Sequence, residues 1–361
     1  MEGIYNCLDE KTFKLPHSKN LWISQKEILM NTSFWDRIKA QSRAAPPITN
    51  TLIPYPDHSP LLTASSKNLQ CRLITPGDIS NIILFLRSHF RYRHHKSNPD
   101  LIIDPAFLLH DISNGAYGVL CYDVHTHNTV GCIWARPIGK IQKSDFAVDT
   151  YLVEHLCVNE TYRGKGITRL MLNWIEVNRP TPETRFIFLK EGRQVPTAVI
   201  TSDRYIFKRF SGKMIKSIKT IPNVSRISLE ECYSMLKDND RLLINMCAPL
   251  QQKQQRTKLW CYKDDSVNAI MAITETHQCH PLDGQKIALI TGWWCSVNNT
   301  EQVQSQVQLS IFAAQPYSWI WSPAAYICNA NSSDWNSDGI VSWQPYLWSA
   351  PTDMKDVFLI L

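Results

Sequence analysis

Apolar positions along the chain switch between a 3.6-residue and a 2-residue period, which predicts helices and strands in alternation. Ile79, Ile82, Ile83 and Leu86 share one face and predict a helix over 78–89, and Phe107, Leu108 and Leu109 belong to another short helix. Strands are predicted at 70–76, 117–122 and 129–136, the last two joined by a turn near His127 and Asn128. A β-branched and aliphatic strand over 152–158 leads through Arg163, Gly164, Lys165 and Gly166 into a helix. That helix carries apolar residues at Ile167, Leu170, Met171, Trp174 and Ile175, and Pro180 marks its end. A further strand is predicted over 186–189.

A second part begins near Ser217. Ser228 and Glu231 have capping-box spacing before a helix over 229–236. Strands are predicted at 259–262, 269–274, 287–294 and 325–329, with a helix over 302–314. The element order repeats that of the first part without a usable residue-level repeat. Residues 1–60 end in proline-rich stretches, Ala44-Ala45-Pro46-Pro47 and Pro54-Tyr55-Pro56, and read as an arm over the body.

Composition changes this picture little. At 361 residues, 44% apolar and 19% charged, the chain reads as globular and long enough for two domains. A net charge of +6 suits an anionic cofactor but does not specify nucleic acid, and no helix-turn-helix or zinc-finger spacing supports a nucleic-acid role. Eleven scattered cysteines without a Cys-x-x-Cys pair, no signal peptide and no long apolar run predict a cytoplasmic protein with free thiols and no integral membrane segment. His277-Gln278-Cys279-His280 lacks a second ligand pair and reads as a loop with incidental ligands, so no metal is expected. His94 and His95 read as a solvated basic surface. Eight of the twelve tryptophans follow residue 259 and are expected in the core, a minority lining a peptide groove.

The candidate chemistry lies in the glycine loop. Gly164 and Gly166 let backbone N–H groups turn toward a ligand, and the helix N-terminus behind them favours an anion. Arg163 and Lys165 add positive charge, so a phosphate or pyrophosphate is the natural guest. Neither Gly-x-x-x-x-Gly-Lys-Ser/Thr nor Gly-x-Gly-x-x-Gly is present. An ordinary strand–turn–helix with a basic surface turn is the alternative.

The loop resembles the coenzyme A pyrophosphate loop of the GNAT acetyltransferases, Gln/Arg-x-x-Gly-x-Gly/Ala, with Arg163 and Gly166 in its first and fourth places and Thr168, a mild departure, in its sixth. More narrowly, the chain resembles the eukaryotic N-myristoyltransferases. Glu154-His155-Leu156-Cys157-Val158 stands where that family has Asn-Phe-Leu-Cys-Val, and Tyr162-Arg163-Gly164-Lys165-Gly166 where it has Leu-Arg-Ser-Lys-Arg. Phe34-Trp35-Asp36, Pro105-Ala106-Phe107-Leu108-Leu109, Val130-Gly131-Cys132-Ile133, Tyr346-Leu347-Trp348 and the apolar tail Val357-Phe358-Leu359-Ile360-Leu361 resemble further family segments in the same order. Departures are Glu154, Gly-Lys-Gly for Ser-Lys-Arg, and Leu189-Lys190-Glu191-Gly192 for Tyr-Thr-Ala-Gly.

The resemblance implies an α/β (α+β) fold of two acetyltransferase-like halves, 61–216 and 217–361, sharing a saddle-shaped mixed sheet with helices on both sides. The first half would bind acyl-CoA, the second a peptide. It implies transfer of a fatty acyl group, myristoyl preferred, from acyl-CoA to the N-terminal glycine amine of a protein or peptide, by a monomer. Backbone N–H groups of His155 and Leu156 would stabilise the oxyanion, and the Leu361 carboxylate would act as base, with the His155 imidazole as an alternative. Phe34, Trp35, Cys157, Val158, Arg163, Gly164, Lys165, Gly166, Ile167 and Thr168 would hold the cofactor, and Tyr205 and Asp338 the peptide. Two other readings stay open: a CoA-dependent acetyltransferase, favoured by Gly-Lys-Gly, and a non-catalytic relative binding CoA or a peptide, favoured by Glu154.

Overall fold

The computed structural model describes residues 12–14, 22–24, 68–90, 100–143, 146–191, 201–210, 223–237, 243–246, 256–296, 300–331, 335–346, 355 and 357–359. Two short strands, β1 (Thr12–Lys14) and β2 (Trp22–Ser24), pair only with each other. The remaining described strands form one mixed sheet of 15 strands.

In the first half, β3 (Leu69–Leu73) is followed by α1 (Ile79–His89), β4 (Asp100–Leu101), α2 (Pro105–Ser113), β5 (Tyr117–Asp123), β6 (Thr129–Lys143) and β7 (Phe146–Val158). Then come α3 (Ile167–Val177), β8 (Arg185–Glu191) and β9 (Thr201–Arg209). The long hairpin β6–β7 runs well past the predicted 129–136 and starts before 152, with Ile138 the extra residue of a bulge that breaks the alternation and Ile141 paired to Val148 beyond it. Along β6, Ile133 and Ala135 pack beneath α3, whereas Cys132 and Trp134 pack beneath α1 and α2. Alternate side chains of one strand therefore hold helices on both faces of the sheet. Asp104 caps α2 by accepting from the Ala106 N–H at 2.9 Å, with Pro105 at the first helical position.

The second half contains β10 (Val224–Arg226), α4 (Leu229–Leu236), β11 (Leu243–Met246), β12 (Thr257–Lys263), β13 (Asn268–Cys279) and β14 (Lys286–Cys295). It continues with α5 (Glu301–Ala314), β15 (Trp319–Pro323), β16 (Asn336–Tyr346) and β17 (Val357–Phe358). The capping box at Ser228 and Glu231 forms as the spacing predicts. Ala269, Met271 and Ile273 of β13 face α5, and Ile270 and Ala272 face α4, which repeats the two-sided layering. The strand expected at 325–329 is instead a single 3-10 turn, Ala324–Tyr326, followed by a turn; the strand is β15, just before it. Pro323 ends that strand because its N–H is missing.

Strand order knits the halves together. From β14 the neighbours run β15, β9, β16, β8, β7, β6, β11 and β17, and β17 pairs back onto β14 at Gly292–Phe358. This closes a ring. Its closing strand is the chain's tail: Val357, Phe358 and Leu359 are each 0% exposed. Leu359 N–H donates to the Thr291 carbonyl at 2.9 Å, the Thr291 hydroxyl to the Leu359 carbonyl at 2.5 Å, and the Tyr326 hydroxyl to the Val357 carbonyl at 2.6 Å. No helix among the described residues is long and apolar enough to cross a membrane.

Candidate functional site

Strand β7 pairs in parallel with β8 only from Thr150–Arg185 to Val153–Phe188. Beyond Val153 the two strands part, and no described strand pairs with that edge of β7. The main chain is irregular at the same place. Cys132 faces Cys157 and Trp134 faces Glu154, so Ile133 of β6 lies opposite two residues, His155 and Leu156. This is a β-bulge, and His155 adopts φ +54°, a left-handed conformation uncommon outside glycine. Burial keeps the Cys132 thiol protonated, and it donates to the His155 carbonyl at 3.6 Å. The two proposed oxyanion donors thus sit together on a re-aimed stretch of backbone. That irregularity had no sequence signal, since a histidine does not announce a positive φ.

Past the bulge the chain turns into the loop. Asn159 accepts from Thr161 N–H at 3.1 Å, and Arg163 Nε donates to the Val158 carbonyl at 3.2 Å. Gly164 and Gly166 take φ +78° and +80°, and nothing lies within 4 Å of a Cβ built on either. Gly166 caps α3 in a left-handed conformation with no side-chain cap bond, leaving the first-turn N–H groups without a capping side chain. Behind the loop, α3 is fixed against β6. A Cβ on Gly131 would lie 3.0 Å from Ile167 and 3.1 Å from Met171. The Lys165 ammonium stands 4.3 Å above the Tyr162 ring. An exposed cluster of basic groups and oriented amides on a rigid helix end suits a phosphate.

The structure brings His155, Leu156 and Val158 into line with Arg163–Gly166, Ile167 and Thr168 along one strand–loop–helix unit. Ile167 is buried under the helix, and the Cys157 side chain is buried among α1 and α2, so a cofactor contact at either falls to the main chain. Tyr205 and Asp338 are brought together in sequence register: Tyr205 faces Gly339 across β9–β16, and Asp338 is the extra residue of a bulge there. Phe34, Trp35 and Leu361, like His94 and His95, lie outside the described residues.

Glu154 and His155 open onto an ionic cluster that sequence reasoning missed. Arg136 Nε donates to Glu154 at 2.7 Å, Arg256 Nη1 to Glu154 at 3.3 Å, and Arg256 Nη2 to Asp111 at 2.6 Å. Arg136 comes from β6, Asp111 from α2, and Arg256 from the residue before β12 in the second half. Burial works against the Glu154 carboxylate, but Arg136 and Arg256 outweigh it and hold its pKa well below the usual range. Burial pushes the Asp111 carboxyl up against the pull of Arg256. Phe107 packs under Arg256, ring centroid 5.5 Å away. His277 completes the cluster. It belongs to β13, not to the expected loop; its ring lies 5.5 Å from that of His155 and 5.6 Å from that of Phe107. His280, from the same tetrapeptide, stacks instead on Trp319 at 3.6 Å. Burial lowers the His155 imidazole to about 4 and carries His277 well below its usual value.

Comparison with known proteins places this geometry in a class. Residues 83–178, spanning most of α1 to the end of α3, match the acetyltransferase (GNAT) family. Over most of its length the chain has the fold of solved N-myristoyltransferase structures. Saccharomyces cerevisiae N-myristoyltransferase with bound myristoyl-CoA superposes with a TM-score of 0.58 at 10% identity, covering 84% of this chain and 81% of that one. A second structure of the yeast enzyme, with myristoyl-CoA and inhibitors, gives 0.57 at 10% identity over 82% of each chain. A GCN5-related N-acetyltransferase from Anabaena variabilis is more distant, with a TM-score of 0.43, 11% identity and coverage of 77% and 73%. No curated protein sequence matches the chain.

Proposed function

We propose that the protein is an acyl-CoA-dependent N-acyltransferase that moves a long acyl chain, myristoyl by resemblance, to the N-terminal glycine amine of a protein or peptide. The observation that carries this reading is one continuous unit: a bulged strand parted from its neighbour, then an open glycine loop, then an uncapped helix N-terminus. The loop and the Ile167–Thr168 amides hold the CoA pyrophosphate. The parted edge of β7 takes the extended arm leading to the thioester. The N–H groups of His155 and Leu156 meet the developing oxyanion, which is worth most where water is excluded.

The Leu361 carboxylate takes the ammonium proton of the glycine. The burial of Val357–Leu359 supports this role, because the described part of the tail is clamped in the sheet interior. Tyr205 and Asp338 meet the peptide, Asp338 from the half spanning 217–361, and Phe34 and Trp35 cover the cofactor held by 61–216. The working form is a cytoplasmic monomer. The Gly-Lys-Gly loop favours a second reading, an acetyltransferase on the same scaffold. Glu154 argues less for a non-catalytic relative, since its carboxylate is engaged by Arg136 and Arg256.

The test is binding and turnover together. Calorimetry with acetyl-, palmitoyl- and myristoyl-CoA should rank the long chains first, since each buried CH₂ contributes about 0.8 kcal/mol. Changing Arg163 and Lys165 to Glu should weaken binding by roughly 10–100-fold, the loss of about two charge-assisted bonds to phosphate. An acetyl preference in the transfer assay on a glycine peptide moves the protein to the acetyltransferases. Unchanged affinity in the loop variant removes the pyrophosphate from the loop.

A further inference from the structure

With Leu361 as the base, the proposed mechanism uses His155 only through its backbone and leaves His277 without a role. The structure gives both imidazoles an unusual setting. Their Nε2 atoms are buried and have no hydrogen-bond partner among the described residues. A buried, unpaired imidazole nitrogen carries a desolvation cost, which is relieved when a ligand atom supplies the missing bond. The two rings lie 5.5 Å apart at an angle of 45°. They reach this position from different halves, His155 on the bulge of β7 and His277 near the end of β13. The latter is pinned by the hydrogen bond from Ile102 N–H to the His277 carbonyl at 2.7 Å and by β4 pairing at Gln278–Leu101.

Among the described residues, the charged groups facing the pair are themselves committed. From β6, Arg136 holds Glu154; from the start of β12, Arg256 spans Glu154 and Asp111; α2 contributes Asp111 and the Phe107 ring. The nearest carboxylate oxygen, Glu154 Oε2, is 3.9 Å from His155 Nε2, beyond a hydrogen bond. Arg136 and Arg256 both disfavour a positive imidazole, as does burial, so each ring rests neutral at ordinary pH. A neutral imidazole that holds a proton only briefly suits a relay.

We propose that His155 and His277 form an imidazole pair that carries a proton from the attacking amine to the leaving CoA sulfur. The inference rests on the acyltransferase reading and deepens it. The glycine ammonium first loses one proton to the base. The free amine then attacks the thioester carbon, forming a C–N bond and an oxyanion. The nitrogen, now positive, gives its remaining excess proton to the imidazole pair. The oxyanion collapses, the C–S bond breaks, and the sulfur leaves as a thiolate that takes this proton to become CoA–SH. The first proton goes to solvent, so one amide, one thiol and one free proton are formed.

The experiment compares wild type, His277→Gln, His155→Gln and the double variant, each measured for acyl-CoA affinity by calorimetry and for kcat over pH 6–9 on a glycine peptide. Each single variant should lose about 10–100-fold in kcat, at the lower end of general acid–base effects, with acyl-CoA affinity unchanged. The double variant should lose no more than the worse single one, because the pair acts as a unit. Added imidazole should restore part of the His277→Gln rate and none of the wild-type rate. A His277→Gln enzyme with wild-type kcat and pH profile overturns the pair and leaves the acyltransferase reading standing. A wild-type protein that binds acyl-CoA but transfers nothing overturns both the pair and the transfer reaction, and one that binds no acyl-CoA overturns the functional reading itself.

Discussion

Two parallel strand–helix–strand units, β7–α3–β8 and β14–α5–β15, occupy corresponding places in the two halves, and they end differently. Each has a strand that leaves its parallel neighbour early: β7 leaves β8 after Val153, and β14 leaves β15 after Leu289. Each then carries a bulge, at His155–Leu156 in one and at Thr291 in the other. In the second unit the gap is filled by the chain's own tail. Phe358 faces Gly292, and the backbone of Leu359 exchanges bonds with Thr291. In the first, no described strand takes that edge. The helix ends diverge in the same sense: α3 begins at a left-handed glycine beside Arg163 and Lys165, whereas α5 begins with acidic Glu301, which repels an anion. One unit is closed by chain and the other has the chemistry to be closed by a ligand. Under the proposed function, the lesson is that a shared scaffold becomes a binding site where the sequence withholds a structural strand and supplies an anion cradle instead.

The sharpest way to break this comparison is at the ionic cluster that stands beside the parted strand of the first unit. Arg256→Met leaves Glu154 and Asp111 facing each other with one cation fewer in a buried setting. Removing one partner of a buried pair costs roughly 3–5 kcal/mol, which chemical denaturation would show as a matching fall in unfolding free energy. Lys286→Met, which breaks the exposed pair with Glu275 in the second unit, should cost under about 1 kcal/mol.

The tail plug gives the next largest effect. A Cβ at position 292 would lie 2.6 Å from the Phe358 ring, so Gly292→Ala must displace the buried tail. Overpacking of this kind costs about 2–3 kcal/mol. Limited proteolysis should then release the last residues at a rate the parent does not show. A variant with parent stability and an intact tail would mean that the second gap is not filled as tightly as the first comparison requires.

The smallest expected effect separates the two helices. Within α3, Glu176 is 7% exposed, and burial raises its carboxyl to about 7 despite the ion pair to Arg179 at 2.8 Å. The corresponding buried polar group of α5 is neutral: Gln308 donates to the Tyr326 carbonyl and accepts from Cys328 N–H. A raised folded pKa means the native state keeps a proton that the unfolded chain gives up. The contribution of Glu176 to stability is therefore fully present below about pH 4.5, is lost as pH rises toward about 7, and is flat above it. Glu176→Gln should remove that slope and gain roughly 1–2 kcal/mol at pH 8, read from melts across pH. Gln308→Glu should introduce a similar slope into the second unit.

Much of the first unit was legible along the chain because it is local. Strand, loop and helix follow one another within 152–177, and two glycines between basic residues need only their neighbours to form an anion cradle. The alternation in β6 and β7 gave their direction but not their length. Glu154 stood out only as a departure from a family pattern, and His277 only as part of a tetrapeptide with metal-like ligands. Neither reading contained the other residue, since Glu154 and His277 are separated by more than a hundred positions and meet through the closure of the sheet.

The sequence alone determined what depends on short-range chemistry: the amphipathic faces of α1 and α3, the capping box at α4, the glycine turn, and an apolar tail that prefers burial to solvent. Tertiary structure decided what depends on which strands become neighbours. Ring closure put the tail against Gly292, freed the edge of β7 beyond Val153, and carried Arg256 and His277 across to Glu154 and His155. Pairwise attraction between distant residues is too weak and too unspecific to be read from spacing. It acquires a fixed geometry only after many hydrogen-bonded strand registers have been satisfied at once.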